Sequence, residues 1–275
     1  MTETAAEPTA PGDRWTYFMD HADEAERLAA KVDAPGWVER ELGGQALGER
    51  SPQHLLDVGC GPGALAHAAS HAHPHAHVTG LDLSRERLLY GADRGWSFVQ
   101  ARAETLPFAD GSFDAVWCRF LLQYLPDKDA AVREMNRVLR PGGTLLLQDL
   151  DGQLVWQHPM PIELRSELDV VLDHLARGGF DPQVGRKLFS MCLGAGFVDP
   201  TVRIEPYHQL AGRPEERTRT EWQTKLRIAA SAIRAAFGGD EARADAFGTA
   251  FERNLFDPDT LVYSVLFTVR VKKPR

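Results

Sequence analysis

A glycine-rich loop between two apolar runs places the strongest limit on how this chain can fold. Residues 55–69 read LLDVGCGPGALAHAA, in which three glycines follow an aspartate within six residues. The run before the loop has the length of a buried strand, and the run from Ala64 is rich in helix formers. Glycine lets a ligand approach the backbone closely, and the start of a helix presents unpaired N–H groups. The sequence therefore predicts a strand, a ligand-binding turn and a helix.

After this loop, short apolar runs alternate with helical stretches. The runs predicted as strands are residues 55–58, 77–83, 97–101, 113–118 and 143–150. Strands that are separated by helices indicate a parallel sheet covered on both faces, with right-handed crossovers. We therefore expect an α/β fold.

The pattern changes after Asp151. Two helical stretches, a strand, a helical insertion and a final strand are predicted at about 161–176, 183–194, 198–210, 214–255 and 261–271. Apolar residues recur at helical spacing in the insertion, namely Trp222, Leu226, Ala229, Ile233 and Phe237. This spacing describes either a helix packed on the core or a lid over a substrate.

We interpret the chain as one domain with helical additions, because it contains neither an internal repeat nor a low-complexity tract. The polar residues 1–13 predict a disordered tail before a domain at 14–275. Amphipathic stretches predict two short N-terminal helices within a cap at 14–50. A cofactor-binding half at 51–151 and a substrate-side half at 152–275 complete the domain.

Composition and charge disfavour several classes of partner. The chain has 275 residues, of which 43% are hydrophobic, and this is enough for a full core. A formal charge of −8 without a long basic run disfavours a nucleic acid or an anionic membrane. No apolar run reaches the roughly 18 residues of a membrane span. We therefore expect a cytoplasmic protein with a small-molecule substrate, no nucleic-acid partner and no membrane partner, and homo-oligomerisation is left open.

Neither the cysteines nor the histidines predict a metal site. The three cysteines lie far apart without a CxxC pair, so we expect no disulfide framework and a reducing compartment. Five of the ten histidines crowd into residues 67–77. We interpret them as a solvated helix end and loop, with metal binding as the less favoured alternative.

Two classes of ligand compete for the glycine loop. A dinucleotide site has the pattern GxGxxG or GxGxxA with an acidic residue about 20 positions later, which this loop and Asp82 match loosely. Further motifs favour a different ligand: Asp57 stands two residues before the first glycine, the tighter pattern GxGxG begins at Gly59, and Asp82 closes HVTGLD. The runs AETLPFADGSFDAV and LRPGGTLLL follow.

As a set, these motifs resemble those of the class I, seven-stranded S-adenosylmethionine-dependent methyltransferases. The resemblance is closest to the small-molecule branch that includes quinone C-methyltransferases and many natural-product methyltransferases. It is strong over residues 53–151 and looser beyond them. It implies a doubly wound, mostly parallel seven-stranded sheet with an antiparallel last strand, and S-adenosylmethionine as cofactor. It also implies that the helical insertion lies between the last two strands.

The resemblance assigns cofactor contacts to particular residues. The loop backbone at Gly59, Cys60, Gly61 and Gly63 would cradle the methionine part, and Asp82 would accept hydrogen bonds from both ribose hydroxyls. The other residues assigned to the cofactor are Asp57, Leu83, Arg102, Ala103, Glu104, Cys118 and Arg119.

Arg102 departs from the family's pattern. Family members often have Asp or Asn at this position, where the side chain grips the adenine amine. An arginine cannot accept that hydrogen bond. The alternatives are the Ala103 N–H and the Glu104 carboxylate.

Polar residues after the fifth and sixth predicted strands are candidates for a general base. His158 is our first choice, because imidazole titrates near neutrality. Asp149 is a second candidate, although Arg119 on the neighbouring strand could equally form a structural ion pair with it. Asp151 and His208 are further alternatives.

The sequence thus predicts methyl transfer from S-adenosylmethionine to an O, N or C nucleophile of a small metabolite, in secondary metabolism. Trp156 and His158 are predicted to begin the substrate wall. The run CRFLLQYLP lacks the (Asp/Asn)-Pro-Pro-aromatic turn of many enzymes that methylate planar amines, which argues against adenine or glutamine substrates. The alternative is a cyclase or binding protein that uses the same pocket without transferring a methyl group.

Overall fold

The computed structural model describes residues 32–43, 47, 51–90 and 95–275. The predicted tail at 1–13 and the first predicted N-terminal helix lie outside these residues. The helices within them are α1 (Ala34–Leu42), α2 (Ala64–Ala72), α3 (Arg85–Tyr90), α4 (Lys128–Val138), α5 (Ile162–Arg177), α6 (Leu188–Gly194), α7 (Glu216–Ala236) and α8 (Glu241–Leu255). The strands are β1 (His54–Val58), β2 (His77–Asp82), β3 (Ser97–Gln100), β4 (Phe113–Arg119), β5 (Leu139–Asp151), β6 (Gln157–His158), β7 (Thr201–Leu210) and β8 (Leu261–Lys272).

All eight of these strands belong to one sheet. Seven follow the order β3-β2-β1-β4-β5-β8-β7, and the two-residue β6 pairs with the start of β8. Strands β1 to β5 are parallel, whereas β8 is antiparallel to both β5 and β7. The strand order reverses between β1 and β4, which is where open α/β sheets bind ligands. This arrangement confirms the predicted α/β fold and the antiparallel last strand.

Alternate residues of the central strands are buried against two different helical layers. In β1, Leu56 and Val58 belong to a core cluster that includes residues of α4 and α6. Leu55, which directly precedes Leu56 and faces the other side of the strand, belongs to a second cluster with residues of α1 and α2. Because side chains alternate between the two faces of a strand, this pattern shows that both faces of the sheet are covered.

A third hydrophobic cluster is formed by the helices that follow the parallel strands. Leu168 of α5, Trp222 of α7 and Phe251 of α8 are all buried in it. The helical insertion therefore packs on α5, above the end of the sheet that carries the glycine loop.

Helix α1 lies on a face of the sheet instead. The Trp37 ring lies 6.2 Å from the Trp117 ring of β4, and Trp37 Nε1 donates to Gln148 Oε1 of β5 at 2.9 Å. The described part of the predicted N-terminal cap thus covers the β4–β5 region. Val32, just before α1, is the residue of this part that lines the cavity described below.

The structure differs from the sequence prediction at two element boundaries. Strand β5 begins at Leu139 rather than at 143, because Leu139 pairs with Phe113 before a register shift. The stretch predicted as a helix at 183–194 is a 3-10 turn, Gly185–Lys187, followed by α6. The buried Asp151 carboxylate accepts the Arg186 N–H at 2.8 Å, which holds this turn against the sheet.

Within the described residues, no helix is both long enough and apolar enough to cross a membrane.

Candidate active site

One cavity of about 500 Å³ lies at the carboxyl ends of the parallel strands. Its first half, the cofactor half, is lined by the glycine loop and by residues after β2 and β3. Its second half, the substrate half, is lined by residues after β4 and β5 and by α5, α7 and α8. The predicted site residues that line the cavity are Asp57, Gly59, Cys60, Gly61, Asp82, Leu83, Arg102, Ala103, Glu104 and Arg119.

The glycine loop is held in a conformation that brings its backbone to the cavity. Gly59 and Gly61 have φ angles of 76° and 54°, a region that side chains other than glycine rarely adopt. A Cβ atom at Gly59 would meet Leu121 Cδ2 at 2.7 Å. The Cys60 N–H donates to Leu81 O at 3.0 Å, and the Gly61 N–H donates to Asp82 Oδ2 at 2.9 Å. The loop therefore provides close backbone approach, while these two N–H groups stabilise the loop itself.

Asp57 carries a buried carboxylate at the end of β1. Its Oδ2 atom has no hydrogen-bond partner among the described residues. Burial, with the nearby Asp82 charge, raises the Asp57 pKa to about 8. A cationic group of a ligand beside Asp57 would satisfy this oxygen and stabilise its ionised form.

Asp82 ends β2 with both carboxylate oxygens at the cavity edge. Oδ2 accepts the Gly61 N–H, and Oδ1 accepts the Ser84 N–H at 2.9 Å and lies 3.7 Å from Arg87 Nη1. Each carboxylate oxygen can accept two hydrogen bonds, so the oriented carboxylate retains capacity for a diol.

Three predicted residues line the far end of the cofactor half. Arg102 Nη2 lies 3.2 Å from Glu104 Oε1, so these two side chains form an ion pair at the cavity wall. Ala103 between them is buried. Leu83 is 38% exposed and can lie against a planar ring.

Arg119 ends β4 at the junction of the two halves. Its Nε atom donates to Gln148 Oε1 at 2.8 Å, and its guanidinium lies 4.0 Å from the centre of the Phe120 ring. Burial lowers the Arg119 pKa, an effect that Tyr207, Asp149 and Asp57 partly offset. The structural ion pair with Asp149, which was one of two alternatives for Arg119, is not formed, and Arg119 Nε donates to Gln148 instead.

Comparisons with known proteins agree with this geometry. A family model described as a methyltransferase domain matches residues 56–147. The 27-O-demethylrifamycin SV methyltransferase of Amycolatopsis mediterranei is 33% identical over 191 residues, which cover 62% of this chain and 68% of the relative. The chain belongs to the class I S-adenosylmethionine-dependent methyltransferases.

Other relatives of this methyltransferase are matched over shorter stretches. The malonyl-[acyl-carrier protein] O-methyltransferase of Legionella pneumophila is 33% identical over 144 residues, or 48% of each protein. The chain spans about half the length of several curated relatives that it matches. A solved structure of Haemonchus contortus phosphoethanolamine N-methyltransferase 2, with S-adenosylhomocysteine, is 16% identical and has a TM-score of 0.58, covering 97% of this chain and 61% of that one. At this low sequence identity, the similarity shows that the two proteins share a fold.

The residues of the cofactor half fit S-adenosylmethionine, the cofactor of the family. Among the described residues the buried Asp57 Oδ2 has no hydrogen-bond partner, so a cationic group would compensate it, and the oriented Asp82 carboxylate suits a ribose diol. Gly59 has a positive φ angle and no room for a Cβ atom beside Leu121, so that its backbone lies directly at the cavity. Together, these three features support the cofactor contacts that the resemblance assigns.

Four predicted site residues of this methyltransferase do not line the cavity. Gly63 caps α2 beneath Trp96, and Cys118 is buried in the core, where burial raises its thiol pKa well above the ordinary value. Asp149 is buried behind the wall, where it accepts the Gln123 and Leu150 N–H groups.

His158 is the fourth of these residues. It is exposed on β6, where it pairs with Leu261 at the start of β8. A base role for His158 remains an untested prediction that its surroundings do not support.

The other two candidates for a base are also engaged elsewhere. Asp151 is fully buried and forms a two-point ion pair with Arg186, with contacts of 2.7 and 3.0 Å. His208 Nδ1 lies 3.0 Å from Ser264 Oγ, and its ring packs against Trp222 at 5.6 Å. Neither side chain lines the cavity.

Sequence reasoning missed several polar residues of the substrate half. They are Gln123, Tyr124, Gln153, Tyr207 and Lys225. The substrate wall was predicted to begin at Trp156, but Gln153 and Leu154 line the cavity instead. The Trp156 ring packs on the Tyr263 ring, with 5.1 Å between the ring centres. The sequence prediction named His208 as an alternative base, but in the folded chain its neighbour Tyr207 lines the cavity.

The histidine-rich segment does not form part of this site. The rings of His67 and His71 lie 4.4 Å apart on α2, and His71 Nδ1 lies 2.9 Å from the His67 carbonyl oxygen. Within the described residues, no group of three His, Cys, Asp or Glu side chains is placed to hold a metal ion.

The protonation state of Asp57 leads to a prediction about the pH dependence of cofactor binding. At pH 6.5 an Asp57 with a pKa of about 8 is mostly protonated, while the amino group of S-adenosylmethionine is already charged. A bound cation lowers the Asp57 pKa, so binding should release up to about one proton, and affinity should rise with pH up to about 8. Titration calorimetry in buffers of different ionisation enthalpy measures this release. Asp57→Asn should abolish it, and equal release by both proteins would contradict the assignment.

Proposed function

We propose that the protein transfers the methyl group of S-adenosylmethionine to a nucleophile of a small, largely apolar metabolite, of the kind made in secondary metabolism. The observation that carries this proposal is the continuity of the cavity. Its cofactor half opens directly into a compartment walled by apolar side chains of α5, α7 and α8, including Leu168, Leu226 and Phe251. A planar or branched hydrocarbon body would be well buried there.

The chain's residues would act mainly by binding and positioning. When bound, S-adenosylmethionine supplies an electrophilic methyl group on a positively charged sulfur. Asp57 would hold a cationic group of the cofactor and Asp82 its ribose diol, and the apolar walls would exclude water. Holding the nucleophile in line with the methyl group, about 3 Å away, can account for much of the rate.

The names of two relatives favour an oxygen nucleophile, because one is called an O-methyltransferase and the other is named for a 27-O-demethyl compound, whereas a third relative is called a C-methyltransferase. Nitrogen and carbon nucleophiles are the other possibilities that the resemblance implies. We extend no relative's substrate to this chain.

Incubation with methyl-labelled S-adenosylmethionine tests the proposal. With a panel of aromatic and polyketide-like alcohols, phenols, enols and amines, we expect S-adenosylhomocysteine to form in step with a labelled product. Conversion of a substrate without label in its product would support the cyclase or binding-protein alternative instead. Failure of the purified chain to bind S-adenosylmethionine would contradict the proposal as a whole.

A bulky side chain in the substrate half should block transfer. Ala229 lines the cavity on α7, whereas the adjacent Ala230 is exposed on the outer side of the same helix. We expect Ala229→Trp to lower kcat/KM for a bulky substrate by at least about tenfold, with the Kd of S-adenosylmethionine changed by less than about twofold. Ala230→Trp is the matched control and should leave both values near those of the native protein. Equal losses in the two variants would mean that the compartment does not hold the substrate.

A further inference from the structure

Charged side chains are distributed unevenly along the cavity. The carboxylates that line it, Asp57, Asp82 and Glu104, all belong to the cofactor half. Among the residues that the structure describes, the charged side chains lining the substrate half are the cations Arg119 and Lys225. Lys225 Nζ lies 3.9 Å from the centre of the Trp222 ring. A ligand that enters this half therefore meets Arg119 and Lys225 among apolar and neutral polar side chains.

The Arg119 guanidinium is fixed in position by its neighbours. Gln148 Oε1 accepts hydrogen bonds from both Trp37 Nε1 and Arg119 Nε, and Gln148 Nε2 donates to Thr268 Oγ1 at 2.8 Å. These partners leave the Nη groups of the guanidinium with donor capacity. Tyr207 adds a hydroxyl beside the guanidinium, and its ring packs on Phe120 at 5.3 Å. A guanidinium and a phenol thus share one wall at the junction of the two halves.

The buried carboxylates near Arg119 neutralise it incompletely. Asp149 lies behind the cavity wall, where burial raises its pKa to about 7. Near neutral pH, Asp149 is therefore partly uncharged, while an arginine remains charged. With cofactor bound, the Asp57 carboxylate would compensate the cationic group of the cofactor rather than Arg119. The pair of Arg119 and Tyr207 can accommodate a further anion.

We infer that the substrate presents an ionised oxygen, as a phenolate or enolate, to the Arg119 guanidinium and the Tyr207 hydroxyl. This inference rests on the proposed methyl transfer and narrows its substrate class to acidic hydroxyl compounds with an apolar body. A protonated amine would be repelled by Arg119 and by the sulfonium charge of the cofactor. The apolar side chains of α5 and α7 would bury the rest of the substrate.

The charges and atoms of the transfer balance without a residue acting as base. The hydroxyl proton leaves to solvent when the oxygen binds as an anion. The oxygen lone pair then forms the O–CH₃ bond as the CH₃–S bond breaks, and the bonding electrons remain on sulfur as a neutral thioether. Arg119 and Tyr207 stabilise the anion before transfer and hold the oxygen towards the methyl group.

A chromogenic phenol tests this inference without measuring turnover. The absorbance of 4-nitrophenol reports its ionisation, and 4-nitroaniline has nearly the same shape but carries no acidic hydroxyl. In the presence of saturating S-adenosylhomocysteine, we expect 4-nitrophenol bound to the native protein to ionise at a pH about one unit lower than the free probe. Arg119→Met should abolish this shift, and Arg119→Lys should retain part of it.

Tyr207→Phe tests the second member of the pair, because it removes only the phenol hydroxyl. The other titratable groups around the pair are preserved, namely Asp57, Asp149, Arg119, His208 and Lys225. It should weaken 4-nitrophenol binding by about tenfold, the loss of a hydrogen bond to a charged group, and should change 4-nitroaniline binding by less than about twofold. Unchanged affinity for S-adenosylhomocysteine shows that the variant is folded.

Several outcomes would overturn the inference. These are failure of 4-nitrophenol to bind while S-adenosylhomocysteine is bound, binding of its protonated form, and equal effects of Tyr207→Phe on both probes. Each of them leaves the proposed methyl transfer standing. Failure of the native protein to bind S-adenosylhomocysteine would instead contradict the proposed function.

Discussion

Replacing Asp82 by alanine should weaken S-adenosylmethionine binding by about 1–3 kcal/mol, or roughly 5- to 150-fold, the range for lost hydrogen bonds to a charged group. The Gly61 and Ser84 N–H groups orient both carboxylate oxygens at the cavity edge, where a ribose diol would donate to them. Titration calorimetry with the native and variant proteins measures the loss. Tight binding of NAD in place of S-adenosylmethionine would contradict the cofactor assignment.

A second ligand separates direct contact from a rearranged loop. Because Asp82 also accepts the Gly61 N–H, the alanine variant could bind weakly through a displaced loop. An S-adenosylhomocysteine analogue that lacks both ribose hydroxyls should bind the native protein weakly, but should lose little further affinity in Asp82→Ala. This non-additivity is expected for groups in direct contact. Fully additive losses would show that Asp82 acts only through the loop.

Replacing Arg186 by methionine should lower the free energy of unfolding by about 2–3 kcal/mol. Asp151 is fully buried, and Arg186 provides its two-point ion pair. Removing one partner of a buried pair costs about 3–5 kcal/mol, and we expect less here because Arg186 is 48% exposed, so that water can partly replace it. Urea unfolding followed by circular dichroism measures the change.

Lys187→Met is the control for this prediction. Lys187 Nζ lies 2.6 Å from Asp181 Oδ2, but the lysine side chain is 50% exposed. An exposed pair of this kind contributes about 1 kcal/mol or less. If the two variants unfold at the same urea concentration, the Asp151 pair does not stabilise the fold as its burial indicates.

The sequence alone determined the α/β class and the location of the cofactor half. Both depend on local patterns: apolar runs of strand length, a loop whose glycines at 59 and 61 adopt positive φ angles, and an aspartate that ends the second strand. Parallel strands bring their carboxyl ends to one edge, so residues that follow different strands could be expected to meet. The family resemblance assigned Asp57, Asp82 and Arg119 to the cofactor, and all three line the cavity.

Only the tertiary structure decided which residues form the substrate half. His158 and Tyr207 both carry titratable groups near strand ends, and the sequence has no local signal that separates an exposed edge from a cavity wall. The pairing of β6 and β7 with β8 places His158 in solvent and Tyr207 beside Arg119, more than 80 residues earlier in the chain. The raised pKa values of Asp57 and Asp149 have the same origin, because they depend on burial by segments that are distant in sequence. Local patterns specify strands and turns, whereas desolvation and the contacts of a site arise only when those elements pack together.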